Sequence, residues 1–180
     1  MAKSQRKIID TVFILLGTAM IVVLLAVGGL AWKAATFATS SVHDELAAQK
    51  IYFPEKGSPA LDPAEFPDLQ QYAGQLVDNG TKAKAYANGF IGRHLEKVAG
   101  GKTYAEVSTL AKADPTNPAL QQQKAALFQG ETLRGLLLGD GYAYGTFGQI
   151  TQYAAVSVLA GAAVMALLVL MGLAHLKRLK

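Results

Sequence analysis

Polar and apolar residues are distributed very unevenly along this chain. From Thr11 to Trp32, 22 consecutive residues carry no charge (TVFILLGTAMIVVLLAVGGLAW), and the run is apolar on every face of a helix. A second uncharged run of 34 residues extends from Gly141 to Ala174 and ends in YAAVSVLAGAAVMALLVLMGLA. A helix of about 20 mostly apolar residues crosses the hydrocarbon of a bilayer, and each run supplies them. Transmembrane helices are therefore expected at 10–32 and 148–175. Core helices of soluble domains are seldom apolar all round, and the segment between the runs is too small to enclose two of them. The first run also exceeds the apolar core of a secretory signal, about 7–15 residues, although ATFATSS beyond it has the small residues of a cleavage site.

The intervening segment has helical periodicity. Val42, Leu46 and Ile51 suit a helix that continues out of the first run as far as Pro54. Four prolines between Pro54 and Pro67 predict a loop. Asp68 is placed to cap a helix over DLQQYAGQLVDNG that Asn79–Gly80 ends. Thr81 opens the next helix, with Tyr86, Phe90 or Ile91, Leu95 and Val98 on one face and Gly100–Gly101 as its stop. Thr103 to Glu106 has capping-box spacing and starts a helix through Lys112. Asn117 and Pro118 begin a last helix through ETLRGLLL, which Asp140–Gly141 is placed to stop. No alternating strand is visible. The expected fold class is all-α, with two transmembrane helices flanking an extracytoplasmic helical domain over 33–147.

Charge sets the expected orientation. Lys3, Arg6 and Lys7 precede the first span, and Lys177, Arg178 and Lys180 follow the second. Positive flanks stay cytoplasmic, so both short tails, 1–9 and 176–180, are expected inside the cytoplasmic membrane and the central domain outside. Lys33 alone lies on the opposite side. Between Ala34 and Ile150 ten basic residues meet twelve acidic ones, a net of −2; seven bases and Asp10 leave +6 on the flanks, which together give the total of +4. The pI near 9.2 thus reflects topology and attraction to anionic lipid, and gives no support for nucleic-acid binding.

Candidate chemistry is sparse. The chain has no cysteine, which removes disulfides, thiolate catalysis and thiolate metal sites. His43 and His94 are the one sensible metal pair, but neither has a second ligand at helical spacing, and His175 belongs to the opposite side. There is no GxSxG, and SxxK is absent from the central segment. GDGYAYGTFG lacks the lysine and the preceding strand of a phosphate loop. No cofactor, metal or catalytic residue is assigned. Arg134 stands among Leu133, Leu136, Leu137 and Leu138 with Glu131 three residues before it. An ion pair, lipid phosphate or a protein partner would each satisfy it. Tyr142, Tyr144, Phe147 and Tyr153 have the character of interfacial anchors. Ser157 and Gly161, with Gly28 and Gly29, are small residues of the type that lets helices approach in a bilayer.

GGKTYAEVS, together with ETLRGLLL followed by Tyr142, Tyr144 and the second span, resembles small two-pass actinobacterial membrane proteins with a helical exported domain. Some of those carry an aromatic ring-opening dioxygenase label, and the resemblance implies no assigned activity. An iron site of that kind needs two histidines and a carboxylate converging, which no spacing here provides. The expectation is a non-enzymatic membrane protein acting by association: a scaffold, an accessory subunit of a membrane complex, or a homo-oligomer. Its partners would be lipid and protein. An oligomeric pore with two spans per subunit and an envelope metal-binding protein or enzyme are the alternatives.

Overall fold

The computed structural model describes residues Lys3–Arg178; Met1 and Ala2 of the basic N-terminus and Lys180 of the basic C-terminus lie outside the described residues. The fold is all-helical. Among the described residues the β contact is one isolated antiparallel bridge, Tyr52 to Leu76. The α-helices are α1 (Lys3–Ala48), α2 (Gly80–Lys84), α3 (Arg93–Ala99), α4 (Tyr104–Ala113), α5 (Pro118–Leu136) and α6 (Tyr144–Arg178). Two π-helical segments join them: Ala85–Gly92 between α2 and α3, and Leu137–Ala143 between α5 and α6. The chain divides after Phe37 and before Phe147 into a unit formed by its two ends and a central unit, Ala38–Thr146.

The unit of the two ends pairs α1 with α6. A methyl group on Gly17 would lie 2.7 Å from Val169, one on Gly28 2.7 Å from Leu159, and one on Gly172 3.1 Å from Ile14. Residue numbers fall on one helix as they rise on the other, so the pair is antiparallel. On α1 the shielded positions are Asp10, Ile14, Gly17, Ile21, Leu24, Gly28, Ala31 and Ala35, alternately four and three apart. Gly148, Thr151, Ala155, Val158, Ala162, Met165, Val169 and Gly172 repeat that rhythm on α6. This is the seven-residue period of a left-handed helix pair, with glycine and alanine keeping the backbones close. The other faces are covered with uncompensated apolar side chains, including Phe13, Leu30, Leu167 and Met171. Both helices are long and apolar enough to cross a membrane. A soluble core helix passes that test too, but would be mostly buried; here 11% of each apolar window is.

The central unit has the reverse arrangement. Its core gathers Val42 and Leu46 from the end of α1, Phe53, Leu61, Phe66, Leu69 and Val77 from the loop region, and Ala83, Ile91, Leu95, Val107, Leu127 and Leu137 from the helices. Phe53 stacks on Tyr72 at 5.2 Å and meets Tyr86 edge-on at 5.1 Å. The proline-rich stretch holds two short 3₁₀ turns, Pro59–Leu61 capped by Ser58 and Pro67–Tyr72. Asp68 lies inside the second turn and does not cap a longer helix. After Tyr72 the backbone instead pairs with Ile51 to Pro54, Phe53 N–H donating to Gln75 O at 2.9 Å and Val77 N–H to Ile51 O at 2.8 Å. Asn79, read as a helix end, is an N-cap whose side chain accepts from Lys82 N–H. The capping box is present, Thr103 and Glu106 each satisfying the other's backbone N–H. Gly100, at φ +58, closes α3 in the left-handed conformation that glycine tolerates.

Candidate functional site

The glycine-rich stretch GDGYAYG at 139–145 does not interrupt the chain. It forms most of the second π segment inside one unbroken helix from Pro118 to Arg178, so Asp140–Gly141 is no stop. Its glycines serve a helix crossing. A methyl group on Gly141 would lie 2.9 Å from Ala83 Cβ, and one on Gly80 3.0 Å from the Gly141 carbonyl oxygen. A methyl group on Gly145 would make only ordinary contact with Val42 at 3.6 Å, and around Gly139 there is open space. π turns inside α-helices often mark functional places, and the second π segment lies at this crossing while the first follows α2 directly.

Polar contacts cluster around that crossing. Arg134 Nη1 donates to both carboxylate oxygens of Glu131 at 2.9 Å, and Nη2 donates to Asn88 Oδ1 at 3.1 Å. The guanidinium also packs over Gly92, and its buried Nε has no hydrogen-bond partner among the described residues. Arg134 and Glu131 therefore tie α5 to the first π segment. Lys84 Nζ donates to the Tyr142 hydroxyl at 3.2 Å, which holds that phenol below its usual pKa range. Tyr142 is thus engaged within the unit, while Tyr144 is 39% exposed, Phe147 56% and Tyr153 72%.

A shallow groove of about 420 Å³ is lined by Asp68, Tyr72, Thr81, Lys84, Asn88 and Arg93, among others. Arg93 grips Asp68 with two bonds of 2.8 and 2.9 Å, donates to the Glu65 carbonyl at 3.2 Å, and covers the Phe66 ring. Lys97 pairs with Glu65 beside it. The Arg93 hydrogen bonds hold the Asp68 carboxyl below the ordinary carboxylate range. These contacts clamp the loop region to α3, so the groove's two cations already have partners.

The histidines have separate surroundings. His43 Nδ1 lies 3.1 Å from the Asp78 carbonyl oxygen, which needs the tautomer with a proton on Nδ1. His94 lines a groove of about 350 Å³ with Glu65, Phe66, Phe90 and Lys97. Among the described residues no group of three or more histidine or carboxylate side chains is placed to hold a metal ion.

Of the four small residues expected to pack the long helices, Gly28 lies in the seam. Gly29 and Gly161 face open space, and Ser157 is exposed with its hydroxyl bonded to the Tyr153 carbonyl at 2.9 Å. Thr11, Thr18 and Thr151 likewise donate to carbonyls four residues back in their own helices, so these hydroxyls form no separate polar stripe. The residues that do line the contact, Gly17, Ala155, Ala162 and Gly172, lie on the seven-residue repeat. Elsewhere, Tyr104 and the 59% exposed Phe128 lean together at 5.8 Å beside Gln121 and Lys124, bordering a groove of about 290 Å³. The sequence reading did not single out that aromatic pair; its signal was an aromatic at a solvent-side position of α5.

No family model, curated protein or solved structure matches the chain. The resemblance drawn from GGKTYAEVS and ETLRGLLL therefore rests on those residues alone.

Proposed function

We propose that the chain is a two-pass protein of the cytoplasmic membrane that works by association, presenting its central helical unit outside the membrane to a protein partner or to further copies of itself. The observation that carries the membrane placement is the inverted surface of the helix pair. Large aliphatic and aromatic side chains face outward along nearly the whole of α1 and α6, while glycine and alanine hold the seam. Apolar exteriors of that extent are covered by lipid or by protein. Basic residues at both ends favour cytoplasmic tails. Association is favoured by the exposed Tyr104–Phe128 pair with Lys124 at its edge, since aromatic and cationic groups are enriched in interfaces.

The test is extraction from the native membrane in mild detergent, followed by native mass measurement. A discrete assembly, reduced by Phe128→Asp, is the expected result. A clean monomer at native expression, carrying no partner, would overturn association; recovery in the soluble fraction would overturn the membrane placement.

A further inference from the structure

Asp10 occupies a seam position of α1; the shielded side chains after it as far as Ala35 are apolar or glycine, and Lys7 precedes it on the same face. Its Oδ2 atom is shielded from solvent and has no hydrogen-bond partner among the described residues. Across the seam, His175 Nε2 on α6 lies 3.8 Å away. That separation suits an ion pair but is too long for a hydrogen bond. Beside the two groups lies a cavity of about 250 Å³ walled by Phe13, Ile14, Met165 and Leu168. A carboxylate with one oxygen shielded among apolar side chains is stabilised when a charged donor faces it. Protonated imidazole supplies both the charge and, whatever the tautomer, a proton on Nε2. α1 and α6 are the elements that meet here. Their other described charges near this end are Arg6 and Lys7 on α1 and Lys177 and Arg178 on α6, and among the described residues the ion-pair partner of Asp10 is His175.

We propose that Asp10 and His175 form a proton-operated latch between the paired ends of the two long helices. The latch is closed when the carboxylate faces imidazolium and slack when the imidazole is neutral, with the adjacent cavity giving the ring room to leave. A polar group at a single seam position also fixes the register of a helix pair, so the closed latch favours the pairing that places Gly172 on Ile14. The latch concerns two helices of one chain and stands whether or not the chain associates with others.

The absence of cysteine makes the test direct. Nitroxide labels at Ile9→Cys and Leu173→Cys, both outward positions, report the distance between these ends in lipid vesicles. The distribution should be narrow at about pH 5 and broader at about pH 8, the interval that ordinary histidine titration covers. Asp10→Asn should abolish the pH response, and His175→Lys should keep the distribution narrow at both values. Labels at Val22→Cys and Val164→Cys, outward in the middle of the same helices, should not respond and show that each variant keeps its helices paired. Equal distributions at both pH values in the otherwise unaltered chain, a response that survives Asp10→Asn, or an equal response of the middle labels would each overturn the latch.

Discussion

Leu61 and Leu167 are the same side chain in opposite circumstances: the first is fully buried in the central unit, the second 61% exposed on the helix pair. The central unit places its large apolar groups inside and its charges outside. The helix pair places them outside and joins its helices through glycine and alanine. Both nevertheless use the same device where helices meet, because Gly28 and Gly141 each lie where an added methyl group would strike a neighbour. The difference lies in the surroundings each exterior suits, and the way in which backbones approach is common to both.

Seven substitutions press on that contrast. The largest effect is expected for Phe53→Ala, which empties a site between Tyr72 and Tyr86 and should cost about 3–5 kcal/mol of stability in chemical denaturation of the detergent-solubilised chain. Leu167→Ala removes comparable apolar surface from the outside of the helix pair and should leave that transition within about 0.5 kcal/mol. Equal losses would mean that the exterior of the pair is packed against protein. Next, Gly141→Val should destabilise the central unit by about 1–3 kcal/mol through overpacking against Ala83, whereas Gly139→Val, in open space, should cost less than half of that.

Gly28→Leu should widen the middle of the helix pair, read by labels at Val22 and Val164, while the adjacent Gly29→Leu should not. The smallest effect belongs to the Asp68–Arg93 clamp. Its carboxyl is lowered in the folded chain, so the stabilisation is present above the unfolded carboxylate range and is lost as pH falls through the folded value. Because both side chains are partly exposed, Asp68→Asn should cost no more than about 1 kcal/mol at neutral pH and remove the corresponding acid loss from a pH titration of stability.

The elements that could be read from sequence are those with local signals. Two long apolar runs, Thr103 with Glu106, and Asn117 before Pro118 each carry their cause within a few residues. The seam of the helix pair was hidden because a helix that is apolar all round shows no contrast between faces. Its repeat runs through residues as unlike as Asp10, Gly17, Leu24 and Ala31, so neither size nor hydropathy marks it. Asn79 followed by Gly80 satisfies the rule for a helix end and the rule for a helix start, and only the chain around it decides. Glu131 could be named as a partner of Arg134 from its spacing, but the second partner, Asn88, is 46 residues distant, and no spacing rule reaches it. Asp10 and His175 are separated by nearly the whole chain and become neighbours only through the antiparallel pairing.

The π segment Ala85–Gly92 makes chain length itself adjustable by one residue in this part of the molecule. A π turn accommodates one residue more than an α-helix would in about the same rotation, while each α-helical residue turns the chain by about 100°. Losing a single codon there would regularise the backbone to an α-helix and leave Leu95 and Ala99 in the core they share with Leu127, whereas a loss within α3 would turn Ala99 away. The region around residues 56–64 sits in loop and short turns, where lengthening costs little. Over evolutionary time single-residue losses should therefore be absorbed across 85–92 more readily than within α3, and insertions should gather in the proline-rich stretch upstream.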